Sequence, residues 1–276
     1  MKKYNFSKCL RFVPNRLTQA IDFHGHLSFL YWLLEVAKPS RIVELGVFRG
    51  DSLATFSQAT RELNLDSKIY GIDCWQGDST TGNYGEEVYS VVKDYFDSNC
   101  PNTTLIRAYF DEALQYFEDQ SIDILHIDGL HTYEACKHDF ETWLPKLSKK
   151  SIVLMHDTEV VSDNFGVHKF WQEVSQNYPA FTFNHSNGLG VVLVGPEQPA
   201  ILQQLCSDHE ELDNFKAVFE AVGGKFFQLA KAKHWQKELE NYVKKTSLTM
   251  ISRDALHNNS KIPRLLRSIK NYVSRH

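Results

Sequence analysis

Val43-Glu44-Leu45-Gly46-Val47-Phe48-Arg49-Gly50-Asp51-Ser52 reads as the end of a buried strand, a tight turn and the start of a helix. Open α/β sheets bind ligands just beyond the carboxyl ends of their strands, so this turn is where a ligand is expected. Gly46 and Gly50 let the backbone approach a ligand closely, and the free amides of the helix opening at Asp51 can receive an anion such as a carboxylate. The spacing is G-x-x-x-G rather than G-x-G-x-x-G, which weakens a dinucleotide reading. The plain alternative for the two glycines alone is an ordinary strand-to-helix turn.

Working outward, short β-rich runs alternate with helical patterns. Arg41–Leu45, Lys68–Ile72, Thr103–Arg107, Ile122–Ile127 and Ser151–Met155 read as buried strands, and Asp51–Leu63, Glu86–Ser98 and Tyr133–Leu147 as the helices between them. In the last of these, Cys136, Phe140, Trp143, Leu144 and Leu147 recur at spacings of three and four, the stripe of a helix lying on a sheet. Such alternation implies parallel strands with right-handed crossovers. A helix over 166–177 leads to two close runs, Ala180–Asn184 and Gly190–Val194, too near in sequence for a parallel pair and therefore antiparallel. His24–Lys38 reads as a helix stopped by Pro39, and Gln198–Lys245 as helices interrupted at Gly223-Gly224.

The whole chain of 276 residues, 42% hydrophobic and 23% charged, fits one main core with an appendage and excludes disordered or fibrous classes. Its longest apolar run, Phe29–Leu34, is far below the ~18 residues of a membrane span. Met1–Phe12 lacks the apolar block of a secretion signal. The five cysteines, odd in number and without a C-x-x-C pair, suggest neither a disulfide framework nor a zinc site. A reducing, cytoplasmic setting is expected. The net charge of −4 conceals an acidic body and a tail, Lys244–His276, with eight basic residues and one acid. Such a body does not suit nucleic acid; the basic end suits an anionic surface.

The second strand ends in Asp73, where a carboxylate can accept both hydroxyl protons of a ribose. The fourth ends in Ile127-Asp128-Gly129-Leu130-His131, and the fifth in Met155-His156-Asp157. Neighbouring strand tips lie ~4.8 Å apart, so Asp128, His156 and Asp157 can meet at one rim and hold a divalent ion. A histidine can take a proton from a hydroxyl near neutral pH, and His131 is the candidate base. The structural alternative is that His156 and Asp157 merely satisfy turn amides.

With V-E-L-G-V-F-R-G-D-S, I-D-C-W-Q-G-D, I-L-H-I-D-G-L-H-T-Y-E and I-V-L-M-H-D-T in order, the chain from about 23 to 195 resembles class I S-adenosylmethionine-dependent methyltransferases. Within them it is most similar to the bacterial branch that holds sugar O-methyltransferases and cephalosporin-hydroxylase-like proteins, often linked to glycosyltransferases. The resemblance implies a Rossmann-like, mostly parallel sheet of seven strands with one antiparallel, spanning residues 23–197 between an N-terminal arm (1–22) and a helical extension (198–276). It implies cofactor contacts from Glu44, Gly46, Gly50, Ser52, Asp73, Cys74 and Trp75. It further implies a magnesium-like ion on Asp128, His156 and Asp157, and catalysis by His131 and Asp128. Two positions depart from the pattern: Phe48 replaces a frequent middle glycine, and His156 stands where metal-dependent relatives often carry a second acid.

The function expected is methyl transfer to a hydroxyl of a sugar or glycan; the alternatives are an NAD-dependent oxidoreductase and a non-catalytic cofactor-binding subunit. The loop from Cys74 to Gly85 reads as a lid, or as packing around a buried Trp75, and His24 and His26 as capping or surface residues. Ile262, Leu265, Leu266, Ile269, Tyr272 and Val273 recur at helical spacing among basic residues, a helix suited to peripheral contact with an anionic membrane or to docking on its own body or a partner subunit, as in a homo-oligomer.

Overall fold

The computed structural model describes residues 4–78, 82–163 and 165–254. Seven strands form the main sheet: β1 (Arg41–Leu45), β2 (Lys68–Asp73), β3 (Thr103–Arg107), β4 (Ile122–Ile127), β5 (Leu147–His156), β6 (Ala180–Phe183) and β7 (Leu189–Leu193). Their spatial order is β3-β2-β1-β4-β5-β7-β6. β7 runs antiparallel to both β5 and β6, and the pairings among β1 to β5 are all parallel. This is the class I methyltransferase sheet, with the expected single reversed strand. All six residues of β4 are buried, as a central parallel strand covered on both faces requires.

The helices are α1 (Leu27–Ala37), α2 (Asp51–Glu62), α3 (Glu86–Asn99), α4 (Phe110–Ala113), α5 (Tyr133–Trp143), α6 (Val167–Asn177), α7 (Ala200–Ser207) and α8 (His209–Asp254). Leu27 to Leu34 are buried on every side, so α1 is a core helix rather than an amphipathic one. It ends at Lys38, which takes a left-handed conformation before Pro39. α5 is capped by the Thr132 hydroxyl, which accepts from the Ala135 amide at 3.2 Å.

Cys9, Phe12, Leu202, Leu205, Phe215, Phe219 and Phe226 join Phe29 and Trp32 in one apolar cluster. The first compact unit therefore extends to Phe227, with a second unit from Gln228 onward. The expected break at Gly223-Gly224 does not occur. α8 runs through both residues, and the chain breaks earlier, at Asp208. A helix tolerates each glycine at a cost of ~1 kcal/mol. Here Gly223 lets the Gly25 backbone come close: a Cβ would lie 2.2 Å from the Gly25 carbonyl oxygen. His24 and His26, expected at caps or on the surface, are fully buried in a single 3-10 turn. No described helix is long and apolar enough to cross a membrane. The basic segment 260–276 lies outside the described residues.

Candidate active site

Leu45 pairs with Ile72 on one side and Ile127 on the other, and Ile127 pairs with Met155. The next residue of each strand therefore falls in a row along the carboxyl rim: Asp73, Gly46, Asp128, His156. A cavity of about 1000 Å³ opens over this row. It is lined by Gly46, Gly50, Ser52, Asp73, Cys74, Asp128, His131, His156 and Asp157, with Phe23, Tyr84, Tyr109 and Phe165 around them.

The turn after β1 is held from below and from the side. Gly46 sits at φ +89°, against the Asp128 carbonyl of the neighbouring strand end. Phe48 adopts φ +46°, a strained conformation for a non-glycine residue that only a surrounding network can maintain. Asp73 supplies that network: one carboxylate oxygen accepts from the amides of Val47 (3.0 Å) and Phe48 (2.8 Å), the other from the amide of Trp75 (2.6 Å). The Trp75 indole in turn donates to the Phe48 carbonyl at 3.0 Å.

Glu44 and Trp75 were assigned to cofactor contact, and neither is among the cavity-lining residues. Trp75 is fully buried against Tyr89, which favours its packing role over that of a lid. Glu44 lies beneath the turn, accepting from the Ser52 hydroxyl at 2.9 Å and paired with His126 Nδ1 at 3.1 Å. Burial holds its carboxyl above the usual value, opposed by these two hydrogen bonds. Its link to the cavity is this bond to Ser52, which lines it.

Between the tips of β4 and β5, two carboxylates and two imidazoles converge. His131 Nε2 lies 2.8 Å from Asp157 Oδ2 and 3.8 Å from Asp128 Oδ1. His156 Nδ1 lies 3.3 Å from Asp128 and 3.6 Å from Asp157. Asp157 itself sits at φ +62°. Burial alone would raise the Asp128 carboxyl, but the charge of His156 and its bonds to His131 and His156 hold it well below the ordinary range. Burial likewise disfavours the charged histidines, and the acids outweigh it: His131 is raised to about 10 and His156 to about 9.

The ligand-type atoms of Asp128, His131 and Asp157 all lie within 4.8 Å of one another, the only such threesome among the described residues. This set contains His131 where the expected set had His156. The Ser186 carbonyl accepts from His156 Nε2 and from His26 Nε2, each at 3.1 Å. A carbonyl only accepts, so both rings carry hydrogen at Nε2. His156 is then left to face both carboxylates with Nδ1, as a cation between two anions.

Both histidines sit above their ordinary pKa of ~6.5, so their charged forms stabilise the folded state fully below that pH, and the contribution disappears as pH climbs toward about 10. In chelator, the melting temperature is expected to fall more steeply between pH 7 and 10 for the wild-type chain than for His131→Gln. Equal slopes would contradict the charge arrangement described.

Residues 43–158 match the family model described as "Methyltransferase domain". Uncharacterized protein y4gI of Sinorhizobium fredii (strain NBRC 101917 / NGR234) is 40% identical over 205 residues, which cover 73% of this chain and 22% of that protein. The chain thus spans 22% of the length of the curated relative it matches. Solved structures with a similar course include an S-adenosylhomocysteine-bound methyltransferase of Podospora anserina (14% identity, 67% of this chain and 92% of that one, TM-score 0.48). Another is the O-methyltransferase TomG of Streptomyces achromogenes, solved with S-adenosylmethionine (13%, 70% and 98%, TM-score 0.46). A third is a putative caffeoyl-CoA O-methyltransferase of Staphylococcus aureus (18%, 60% and 80%, TM-score 0.47). Likeness at this level carries no argument about chemistry. Strand order and the glycine turn agree with the match over residues 43–158, and the chain has the class I S-adenosylmethionine-dependent methyltransferase fold.

Proposed function

We propose that the chain transfers the methyl group of S-adenosylmethionine to a hydroxyl oxygen of a sugar or glycan. The observation that carries this reading is the acid-imidazole cluster, which opens into the same cavity as the Gly46–Ser52 turn. The first amides of α2, that of Ser52 among them, would receive the donor's carboxylate, and Asp73 would meet its ribose beside Cys74.

A hydroxyl attacks well only once its proton is removed or shared. Asp157, 2.8 Å from His131 Nε2, and Asp128, 3.8 Å away, keep this imidazole charged near neutral pH, so it would take that proton only after passing its own to one of the two carboxylates. The donor set also fits a divalent ion: two carboxylate oxygens and one imidazole nitrogen suit magnesium or manganese. Asp128, His131 and Asp157 would hold it; when bound, such an ion lowers the pKa of a coordinated hydroxyl. Both uses demand the same three side chains. Phe165, stacked on His131 with ring centroids 4.8 Å apart, lines the cavity beside them, and its aromatic ring suits the apolar side of a sugar ring.

The discriminating measurement is a thermal shift with S-adenosylhomocysteine against NAD. A ligand at 100 times its dissociation constant adds ~2.7 kcal/mol of stability. The melting temperature is expected to rise with the homocysteine nucleoside and stay put with NAD; the reverse would establish an oxidoreductase. Release of labelled methyl onto a panel of glycosides then separates an enzyme from a binding subunit.

A further inference from the structure

Among the described side chains of α8, the last buried one is Ala230, and from Lys231 to Lys244 every one is exposed or half-buried. Three of the exposed ones are large and apolar: Trp235, Leu239 and Tyr242 are 69%, 60% and 68% exposed. Spacings of four and three put them on one side of the helix, and Lys233, Lys237 and Lys244 fall on the opposite side. A helix without a packed face is marginal in water, so an apolar stripe on such a stretch needs a cover.

Charge selects the cover. The second unit, from Gln228 onward, has eleven basic residues against three acids, a net +8, whereas the 227 residues before it carry −12. Packing this helix against the same helix of a second copy would bring like charge to like charge. Its seam would also be filled by Trp235 and Tyr242, where paired helices favour aliphatic side chains. An anionic lipid surface meets both demands: it attracts lysine and arginine, and it admits aromatic rings whose polar tips stay wet. Nucleic acid meets only the first. No described helix is apolar enough to cross a membrane, and an apolar face of Trp and Leu beneath a lysine-rich one is the pattern of a helix that lies in the headgroup plane.

We propose that α8 docks on an anionic lipid surface through Trp235, Leu239 and Tyr242, with the basic residues of the second unit supplying the attraction. The contact is independent of the methyl-transfer reading above.

The test is flotation of the full chain with vesicles of phosphatidylglycerol or of phosphatidylcholine, read together with tryptophan emission. Trp32, Trp75, Trp143 and Trp171 are buried, so a change on adding vesicles reports Trp235. The wild-type chain is expected to partition onto phosphatidylglycerol at least about tenfold better than onto phosphatidylcholine, with a blue-shifted emission that bromine-labelled acyl chains quench. Leu239→Glu should lower that partition by at least about tenfold and leave the melting temperature unchanged. Flotation with no change in Trp235 emission would assign the contact to other basic residues and overturn the role of α8. Equal partition onto the two lipids, or none onto either, overturns the proposal as a whole. A concentration-dependent dimer that Leu239→Glu dissolves, in a chain that ignores vesicles, would make a second copy the cover instead.

Discussion

Replacing Asp128 with alanine is expected to lower the rate of methyl transfer by about 10²–10⁴-fold, the range typical for loss of a positioned acid or base. The geometry gives the reason. Asp128 is one of two carboxylates that face both His131 and His156, so its removal takes an anion from each. His131→Ala should fall within the same range, and the double variant should lose little more than either single one, because residues that act as a unit are strongly non-additive. The loss should lie in turnover, with S-adenosylhomocysteine affinity changed less than about threefold. Radiolabel transfer and calorimetry on the same preparations measure both. Unchanged turnover in Asp128→Ala would refute the catalytic assignment.

Gly46→Ala is expected to be the most damaging of the small substitutions. The new Cβ would lie 1.9 Å from the Asp128 carbonyl oxygen, on backbone that cannot swing aside, and φ +89° disfavours any side chain. A destabilisation of about 3 kcal/mol follows, which for a chain of this size lowers the melting temperature by about 6–12 °C. Gly82→Ala supplies the control. It shares a positive φ, +76°, but nothing lies within 4 Å of its would-be Cβ, so only conformational strain of about 1–2 kcal/mol remains. Equal melting temperatures for the two variants would show that close approach between β1 and β4 is unimportant.

All seven strands of the sheet could be read from sequence, most of them because they are short apolar runs closed by polar residues. β5 was read too short. It begins at Leu147, in a stretch where Lys149 and Lys150 are exposed and the apolar pattern fails. Gly223-Gly224 looked like punctuation because composition cannot distinguish a helix end from a place where another backbone passes. Spacing placed Asp73, Asp128, His156 and Asp157 at the rim, since register puts residues after paired strand ends side by side. It could not show that three amides converge on Asp73, or which ring nitrogen of His156 faces the acids. Those depend on backbone turns at Phe48 and Asp157 that no residue type announces.

The Ser186 carbonyl has a consequence for how this chain can vary. Ser186, Asn187 and Gly188 all take left-handed conformations to bring that oxygen inward. Hairpin connections on protein surfaces ordinarily tolerate insertions and deletions. Here, adding or deleting one residue would turn the carbonyl outward, leaving two imidazoles to choose new tautomers at once. The length of residues 184–188 is therefore governed by proton placement on the strand tip beside it rather than by the turn's own geometry, and a loop graft at this site should be judged by activity before it is judged by folding.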